Sequence, residues 1–154
     1  MNRRTLCRSI VVALLFAFPA RAIAAPTQAN LFKTQATVFK KPKCKCCDVY
    51  AAYLRSYGFE VDVKITNELA QISSQAGIPK EFQGCHTMFV DGYVVEGLVP
   101  GHVVRKLLSE RPAILGITLP GMPAGSPGMA GVKRDFIIYA VAKDGAPPGI
   151  YTVE

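Results

Sequence analysis

The segment at residues 40–48 reads K-K-P-K-C-K-C-C-D and constrains this chain more than any other stretch. It places Cys44, Cys46 and Cys47 within four residues, with lysines beside them, and Cys85 is the one further cysteine after residue 24. Few roles require three thiols this close together. They suit a soft metal ion, thiol–disulfide exchange, or both.

Residues 1–24 have the layout of a secretory signal peptide. Three arginines precede an apolar run at residues 10–18, and small residues follow at Ala22-Ile23-Ala24. The run is too short to span a bilayer. We therefore expect cleavage near Ala24-Ala25 and a periplasmic mature protein that does not span the membrane. An uncleaved N-terminal anchor is the alternative.

Composition limits the classes of protein to which the mature chain can belong. Removing the four arginines of the signal lowers the formal net charge from +7 to +3, and the chain has no Trp and 9% aromatic residues. Nucleic-acid binding favours a concentrated basic face with aromatic platforms, so we expect no nucleic-acid partner. A chain of 154 residues suffices for one ordinary domain but not two. We expect a flexible N-terminus at residues 25–35 and a single domain at 36–154.

Four cysteines in an exported protein ordinarily indicate two structural disulfides. The spacing disfavours that interpretation here. Adjacent Cys46 and Cys47 can pair only through a strained ring, and Cys44 and Cys46 are poorly placed for disulfide geometry. One of the three could form a disulfide with Cys85, but such a bond leaves the other two cysteines of the motif without a well-placed partner.

Hydrophobic periodicity predicts the order β, α, β, α, β-hairpin, α. The predicted elements are a strand at residues 36–39, a helix at 48–57, a half-buried strand at 59–65, a helix through 69–76, strands at 87–90 and 93–98 around the turn Asp91-Gly92, and a helix between Gly101 and Pro112. Residues 113–132 are so rich in glycine and proline that we expect a loop, neither a helix nor a central strand. Apolar runs at residues 136–142 and 150–153 predict an added hairpin.

A strand–helix–strand start, a later antiparallel hairpin and a closing helix make up the thioredoxin-like plan. We therefore expect an α/β fold: a thioredoxin-like mixed sheet with flanking helices and an extra C-terminal β-hairpin. In that plan a C-x-x-C motif begins the first helix. Cys44 and Cys47 have this spacing, with Cys46 as an added thiol. The N–H groups and the positive dipole end of the helix favour thiolates there.

Thioredoxins also carry a Gly-Ile-Pro-Thr-like segment before the hairpin, whose cis-proline faces the active cysteines. This chain is similar at that point and reads Gly84-Cys85-His86-Thr87. The similarity implies that Cys85 lies beside the C-x-C-C loop as a fourth thiol. His86 stands at the position of the proline, which disfavours ordinary thioredoxin chemistry.

Thiolate and thioether sulfurs are soft ligands that select Cu(I) first and Zn(II) next. A tetrahedral Zn(II) prefers well-separated thiolates, whereas crowded thiolates can bridge several Cu(I) ions. We therefore expect Cu(I), including a polynuclear copper–thiolate cluster, and regard zinc as less suited. Met122 and Met129 are either gap-filling packing residues or thioethers folded over the thiols. His86 is either a structural histidine or a ligand.

The chain resembles, from about Thr37 to Met129, a family of small exported metal-binding proteins long catalogued only as a domain of unknown function. The family includes the CopG-type periplasmic copper-resistance proteins. The matching segments are C-K-C-C at 44–47, G-C-H-T at 84–87, V-D-G-Y-V-V-E-G at 90–97 and P-G-M-P-A-G-S-P-G-M at 120–129.

The resemblance implies a thioredoxin-like fold, copper binding and a role in periplasmic copper handling, with a Cu(I)/Cu(II) or thiol redox function proposed for the family. It implies that the metal ligands are the four cysteines Cys44, Cys46, Cys47 and Cys85. Three nearby residues are further candidate ligands: His86, Met122 and Met129. This chain departs from the family at Leu98, where relatives commonly have His. A leucine can neither ligate nor transfer protons.

Two functional hypotheses follow. The first is a periplasmic copper-binding protein that holds Cu(I) for copper resistance, with copper ions and other periplasmic copper-handling proteins as partners. The alternative is a thiol–disulfide or Cu(I)/Cu(II) oxidoreductase, in which Cys44 and Cys47 are the redox pair and Cys85 is a resolving thiol. A structural domain stabilised by disulfides or zinc is a third possibility.

Overall fold

The computed structural model describes residues 34–154, so the predicted signal peptide and most of the expected flexible N-terminus lie outside the described residues. The described elements are β1 (Thr34–Lys40), α1 (Lys45–Ser56), β2 (Phe59–Ile65), α2 (Leu69–Gln75), a short 3-10 helix (Lys80–Phe82), β3 (His86–Val90), β4 (Tyr93–Gly97), α3 (Gly101–Glu110), β5 (Gly116–Leu119), β6 (Ile137–Val141) and β7 (Gly149–Val153).

Within residues 34–154 the strands form one mixed sheet in the order β2-β1-β3-β4-β5-β6-β7. The pairs β1–β2 and β4–β5 are parallel because α1 and α3 carry the chain back across the sheet. The other neighbouring pairs are antiparallel. The first four strands and the three helices confirm the predicted thioredoxin-like α/β fold, and β6–β7 is the added C-terminal hairpin.

Strand β5 shows that the prediction of an unbroken loop at residues 113–132 was wrong. All four residues of β5 are buried, and the strand lies in the middle of the sheet between β4 and β6. Gly116 makes this possible, because a Cβ at this position would lie 1.9 Å from the carbonyl oxygen of Val94. The glycine that lowers strand propensity in the sequence is therefore the residue that permits close pairing with β4.

Side chains of the central strands alternate between two core clusters, one on each face of the sheet. The larger cluster joins Val38 of β1 and Met88 of β3 to Leu54 of α1. Lys40 continues the alternation of β1, and His86 belongs to the alternation of β3. Two polar side chains therefore enter this face of the sheet, beside the start of α1. Both are buried.

Strand β2 is an edge strand, and its apolar side chains are more exposed than the alternating pattern in the sequence predicted. Phe59 is its one buried residue, and Ile65 is 66% exposed. The edge position explains the difference, because a strand with one neighbour has less of the core to pack against. None of the helices within residues 34–154 combines the length and the apolarity needed to cross a bilayer.

Candidate metal centre

The C-x-C-C motif lies at the junction of β1 and α1, as predicted. Cys44 is the N-cap of α1 in an extended conformation, and Cys46 and Cys47 lie in the first helical turn. A turn precedes the helix, in which the Cys44 N–H donates to the Lys41 carbonyl at 3.3 Å. Lys43 has a left-handed φ of 64° in this turn, an uncommon conformation for a residue with a side chain.

Strand pairing brings Cys85 to this junction. In the antiparallel register of β1 and β3, Lys40 lies opposite His86. The next residue, Lys41, donates its backbone N–H to the Cys85 carbonyl at 3.3 Å. The predicted fourth thiol therefore lies beside the other three.

The Sγ atoms of Cys44, Cys46, Cys47 and Cys85 all lie within 4.8 Å of one another. The Cys85 Sγ is 3.4 Å from that of Cys47 and 3.7 Å from that of Cys46, and the Cys44 and Cys46 sulfurs are 3.4 Å apart. The structure joins Cys44 and Cys47 in a disulfide and leaves Cys46 and Cys85 as free thiols. The disulfide has the C-x-x-C pairing of the redox hypothesis, and four thiols become available to a metal only after its reduction.

The glycine- and proline-rich loop after β5 closes over the thiols. Met122 has a left-handed φ of 45° and places its Sδ 3.5 Å from the Cys85 Sγ. Gly128 lies against α1, where a Cβ would meet the Cys46 carbonyl oxygen at 3.0 Å. Met129 is 36% exposed. Of the two predicted thioethers, Met122 alone contacts a thiol within the described part of the chain.

His86 is fully buried beneath the thiols, with its ring centroid 4.9 Å from that of Tyr50. Its Nδ1 lies 3.9 Å from the Cys85 Sγ, and its Nε2 has no hydrogen-bond partner among residues 34–154. Burial lowers the pKa of His86 to about 4, so the imidazole is neutral at pH 7. A neutral imidazole with a free ring nitrogen has the chemical form of a metal ligand.

Lys40 is buried, whereas the sequence analysis counted it only among the lysines beside the thiols. Its side chain is 5% exposed, and its Nζ lies 2.6 Å from the Asp48 carboxylate and 3.1 Å from the Cys44 carbonyl oxygen. These contacts tie the end of β1 to the first turn of α1. The strand alternation through Ala36 and Val38 points to an inward Lys40 and could have revealed it.

Glu96 is a site residue that the sequence analysis missed. It is fully buried on the α2 face of β4, and its Oε1 accepts the Gly84 N–H at 2.6 Å, next to Cys85. Its Oε2 has no partner among the described residues. Burial raises the pKa of Glu96 to about 7. The signal in the sequence was a carboxylate inside an otherwise apolar strand.

Burial, followed by the neighbouring Cys46, raises the pKa of Cys85 to about 12. Cys85 is therefore a neutral thiol in the disulfide form, and the thiolate is the species that acts as nucleophile or ligand. A soft metal ion that binds this sulfur has to displace its proton, as metal binding to thiols generally does.

We refer to the three exposed lysines that flank the cysteines in the sequence as the lysine rim: Lys41, Lys43 and Lys45. Leu98 is fully buried in the larger core cluster and offers no ligand. His102 pairs with Glu154, at 2.6 Å between Nε2 and Oε2, and is 53% exposed. His102 is thus engaged at the surface rather than in the thiol cluster.

Comparison with known proteins gives matches of two kinds. The family model described as "Protein of unknown function, DUF411" matches residues 82–129. Two solved structures, titled "Copper resistance protein copG- Form 2" and "Copper resistance protein copG- Form 1", are each 30% identical to this chain with a TM-score of 0.73. Each comparison covers 80% of this chain, and 99% and 98% of the respective structures. No curated protein sequence matches significantly.

These matches span nearly the whole of both solved structures, and the family model covers β3, β4 and the loop that carries Met122. They confirm the family inferred from the C-K-C-C and G-C-H-T segments. The chain belongs to the CopG-type copper-resistance protein family.

Proposed function

We propose that this chain is a periplasmic copper-binding protein that holds Cu(I) for copper resistance. The observation that carries the proposal is the convergence of the four cysteine sulfurs within 4.8 Å. The ligands are Cys44, Cys46, Cys47 and Cys85. The periplasmic location rests on the signal-like sequence at residues 1–24.

The chemistry of the donors favours Cu(I) over Zn(II). Thiolates and a thioether are soft donors, and the Met122 Sδ adds a thioether 3.5 Å from Cys85. Structural zinc is bound by separated ligands in a closed tetrahedron. Here adjacent residues carry two of the sulfurs, and such crowding suits thiolates that bridge more than one Cu(I).

The full ligand set requires the reduced protein. Opening the Cys44–Cys47 disulfide takes two electrons and two protons and turns two sulfurs that cannot ligate as thiolates into two thiols. The exposed lysine rim then offsets part of the negative charge of the thiolates.

Anaerobic titration of the reduced mature protein with Cu(I), against a competing chelator, tests the proposal. We expect more than one Cu(I) per chain, and a lower number in each single Cys→Ser variant. H102N is the control and should bind as the wild type does, because His102 pairs with Glu154 at the surface. Reduced protein that binds no Cu(I) would show the proposal to be wrong.

A second candidate function is supported by the Cys44–Cys47 disulfide itself. Its position at the N-terminus of α1 and the Cys85 Sγ at 3.4 Å from the Cys47 Sγ suit a redox pair with a neighbouring thiol. In the copper version, two thiolates reduce two Cu(II) to two Cu(I) and form the disulfide. An external dithiol must then reopen it.

Turnover separates the two functions. With excess dithiol, an oxidoreductase reduces many equivalents of Cu(II) or insulin disulfide per chain. A reaction that stops after two electrons per chain argues against the enzyme and for a binding protein.

A further inference from the structure

We propose that the disulfide-bonded form keeps a separate site for one Cu(I), formed by Cys46, Cys85 and Met122. The state of the Cys44–Cys47 pair then sets how many copper ions the protein holds. This inference rests on the proposed Cu(I)-binding function and adds a second, smaller site within the same cluster.

The three sulfurs already have the spacing of a shared site. The Sγ atoms of Cys46 and Cys85 are 3.7 Å apart, and the Met122 Sδ is 3.5 Å from the Cys85 Sγ. Two sulfurs bound to one metal at about 2.3 Å each, with a tetrahedral angle between them, lie about 3.8 Å apart. Little movement is therefore needed to place one ion between Cys46 and Cys85.

The disulfide leaves these donors free. Cys44 and Cys47 are bonded to each other, whereas Cys46 and Cys85 remain thiols. Cys46 lies between the two bonded residues in the sequence, yet its sulfur is 3.7 Å from that of Cys85, which directly precedes the start of β3. The disulfide thus splits the four-thiol cluster into a bonded pair and a free pair.

The loop after β5 completes the donor set. The left-handed backbone of Met122 directs the thioether to Cys85, and Gly128 lets the same loop lie against Cys46. The His86 Nδ1, 3.9 Å from the Cys85 Sγ, is more distant than the Met122 sulfur. Two thiolates and one thioether make a soft three-sulfur site, which favours Cu(I).

Reduction enlarges this site without moving it. A dithiol reductant breaks the Cys44–Cys47 S–S bond, supplies two electrons and two protons, and becomes a disulfide itself. The two thiols that form lie 3.4 Å from the free ones, Cys44 beside Cys46 and Cys47 beside Cys85. The one-copper site therefore becomes part of the larger cluster.

The experiment compares oxidised and reduced protein. Oxidised mature protein (residues 25–154), shown by thiol counting to hold two free thiols, is titrated anaerobically with Cu(I) as its acetonitrile complex, with a competing chelator and no thiol reductant. We expect one Cu(I) per chain, against more than one after reduction. X-ray absorption at the copper edge should show sulfur as the main ligand in the oxidised form.

Variants locate the site. Oxidised C46S should lose the single copper, and M122L should weaken its binding at least tenfold. M129L is the matched thioether variant, and we expect a smaller effect because Met122 alone contacts a thiol within residues 34–154. The C44S/C47S double variant, which cannot form the disulfide, should bind one Cu(I) with or without reductant.

Each failure has its own meaning. Oxidised wild type that binds no Cu(I), while the reduced protein binds several, overturns this inference and leaves the proposed function standing. One copper in the oxidised form that survives C46S, or that M122L and M129L weaken equally, shows that the site lies elsewhere. Reduced protein without copper overturns both proposals.

Discussion

The Sγ of Cys85 lies 3.4 Å from the Sγ of Cys47, although the two residues are 38 positions apart in the chain. The antiparallel register of β1 and β3 creates this contact, since it places Lys40 opposite His86 and so brings residue 85 to the turn before α1. The chemistry of the cluster therefore depends on a strand pairing as much as on the cysteine motif.

The first prediction concerns this contact. Cys85→Ser replaces a thiolate ligand by a hydroxyl, a hard and weak donor for Cu(I). We expect at least a tenfold loss of Cu(I) affinity in the reduced protein and a lower stoichiometry, measured by chelator competition. Stability should change by no more than about 1 kcal/mol, because Cys85 is only partly buried. Unchanged copper binding would remove Cys85 from the ligand set.

The second prediction tests Lys40. Lys40→Met keeps the length and the apolar stem of the side chain but removes the donor to the Cys44 carbonyl and the ion pair with Asp48. We expect the free energy of unfolding to fall by about 1.5–3 kcal/mol, because hydrogen bonds to charged groups contribute about that much. Copper affinity should also fall, since the turn that carries Cys44 loses its anchor.

The control for Lys40 is Lys41→Met, at an exposed position in the same turn. Denaturant titration should show it within about 0.5 kcal/mol of the wild type. If K40M and K41M lowered the free energy of unfolding equally, the charge of the segment would determine stability and the buried contacts of Lys40 would not.

The third prediction is a pH dependence that originates at Glu96. Its pKa is raised from 4.5 to about 7, so between these values the folded state binds a proton that the unfolded state has lost. Stability from this group is therefore complete below about pH 4.5 and falls as the pH rises through 7. At about 1.4 kcal/mol per pKa unit, the loss of stability reaches at most about 3.5 kcal/mol.

Glu96→Gln removes this titration while keeping an oxygen that can accept the Gly84 N–H. We expect E96Q to gain stability relative to the wild type as the pH rises from 5 to 8, in urea titrations at several pH values. E81Q, at an exposed position, should follow the wild-type curve. If the stabilities of E96Q and the wild type changed with pH in the same way, the raised pKa of Glu96 would be contradicted.

The fourth prediction tests the position of β5. Gly116→Ala places a Cβ against the Val94 carbonyl oxygen in the middle of the sheet, where the backbone of β4 cannot move aside. We expect a loss of about 3 kcal/mol or failure to fold, at the upper end of what overpacking does. Gly149→Ala is the matched strand control, because no atom lies within 4 Å of its added Cβ. Thermal melts of the two variants should differ clearly.

Local sequence patterns predicted much of the fold. The alternation in Phe59–Ile65, the Asp91-Gly92 turn and the helical spacing before Gly58 each use interactions between residues close in the chain, and the structure confirms those elements. Strand β5 escaped prediction because four residues with a glycine become a central strand only when β4 and β6 lie on both sides. That information comes from distant parts of the chain.

At the candidate site, too, some features follow from the local sequence and others depend on distant parts of the chain. The sequence by itself determined the donor types, because C-K-C-C brings three thiols together through covalent spacing alone, and it indicated Cys85 and a methionine loop as the remaining parts. Only the tertiary structure decided that Cys44 pairs with Cys47, that Met122 rather than Met129 contacts a thiol, and that Lys40 and Glu96 are buried around the cluster. The physical reason is that contact and burial depend on strand register and loop path, which are set by packing across the whole sheet.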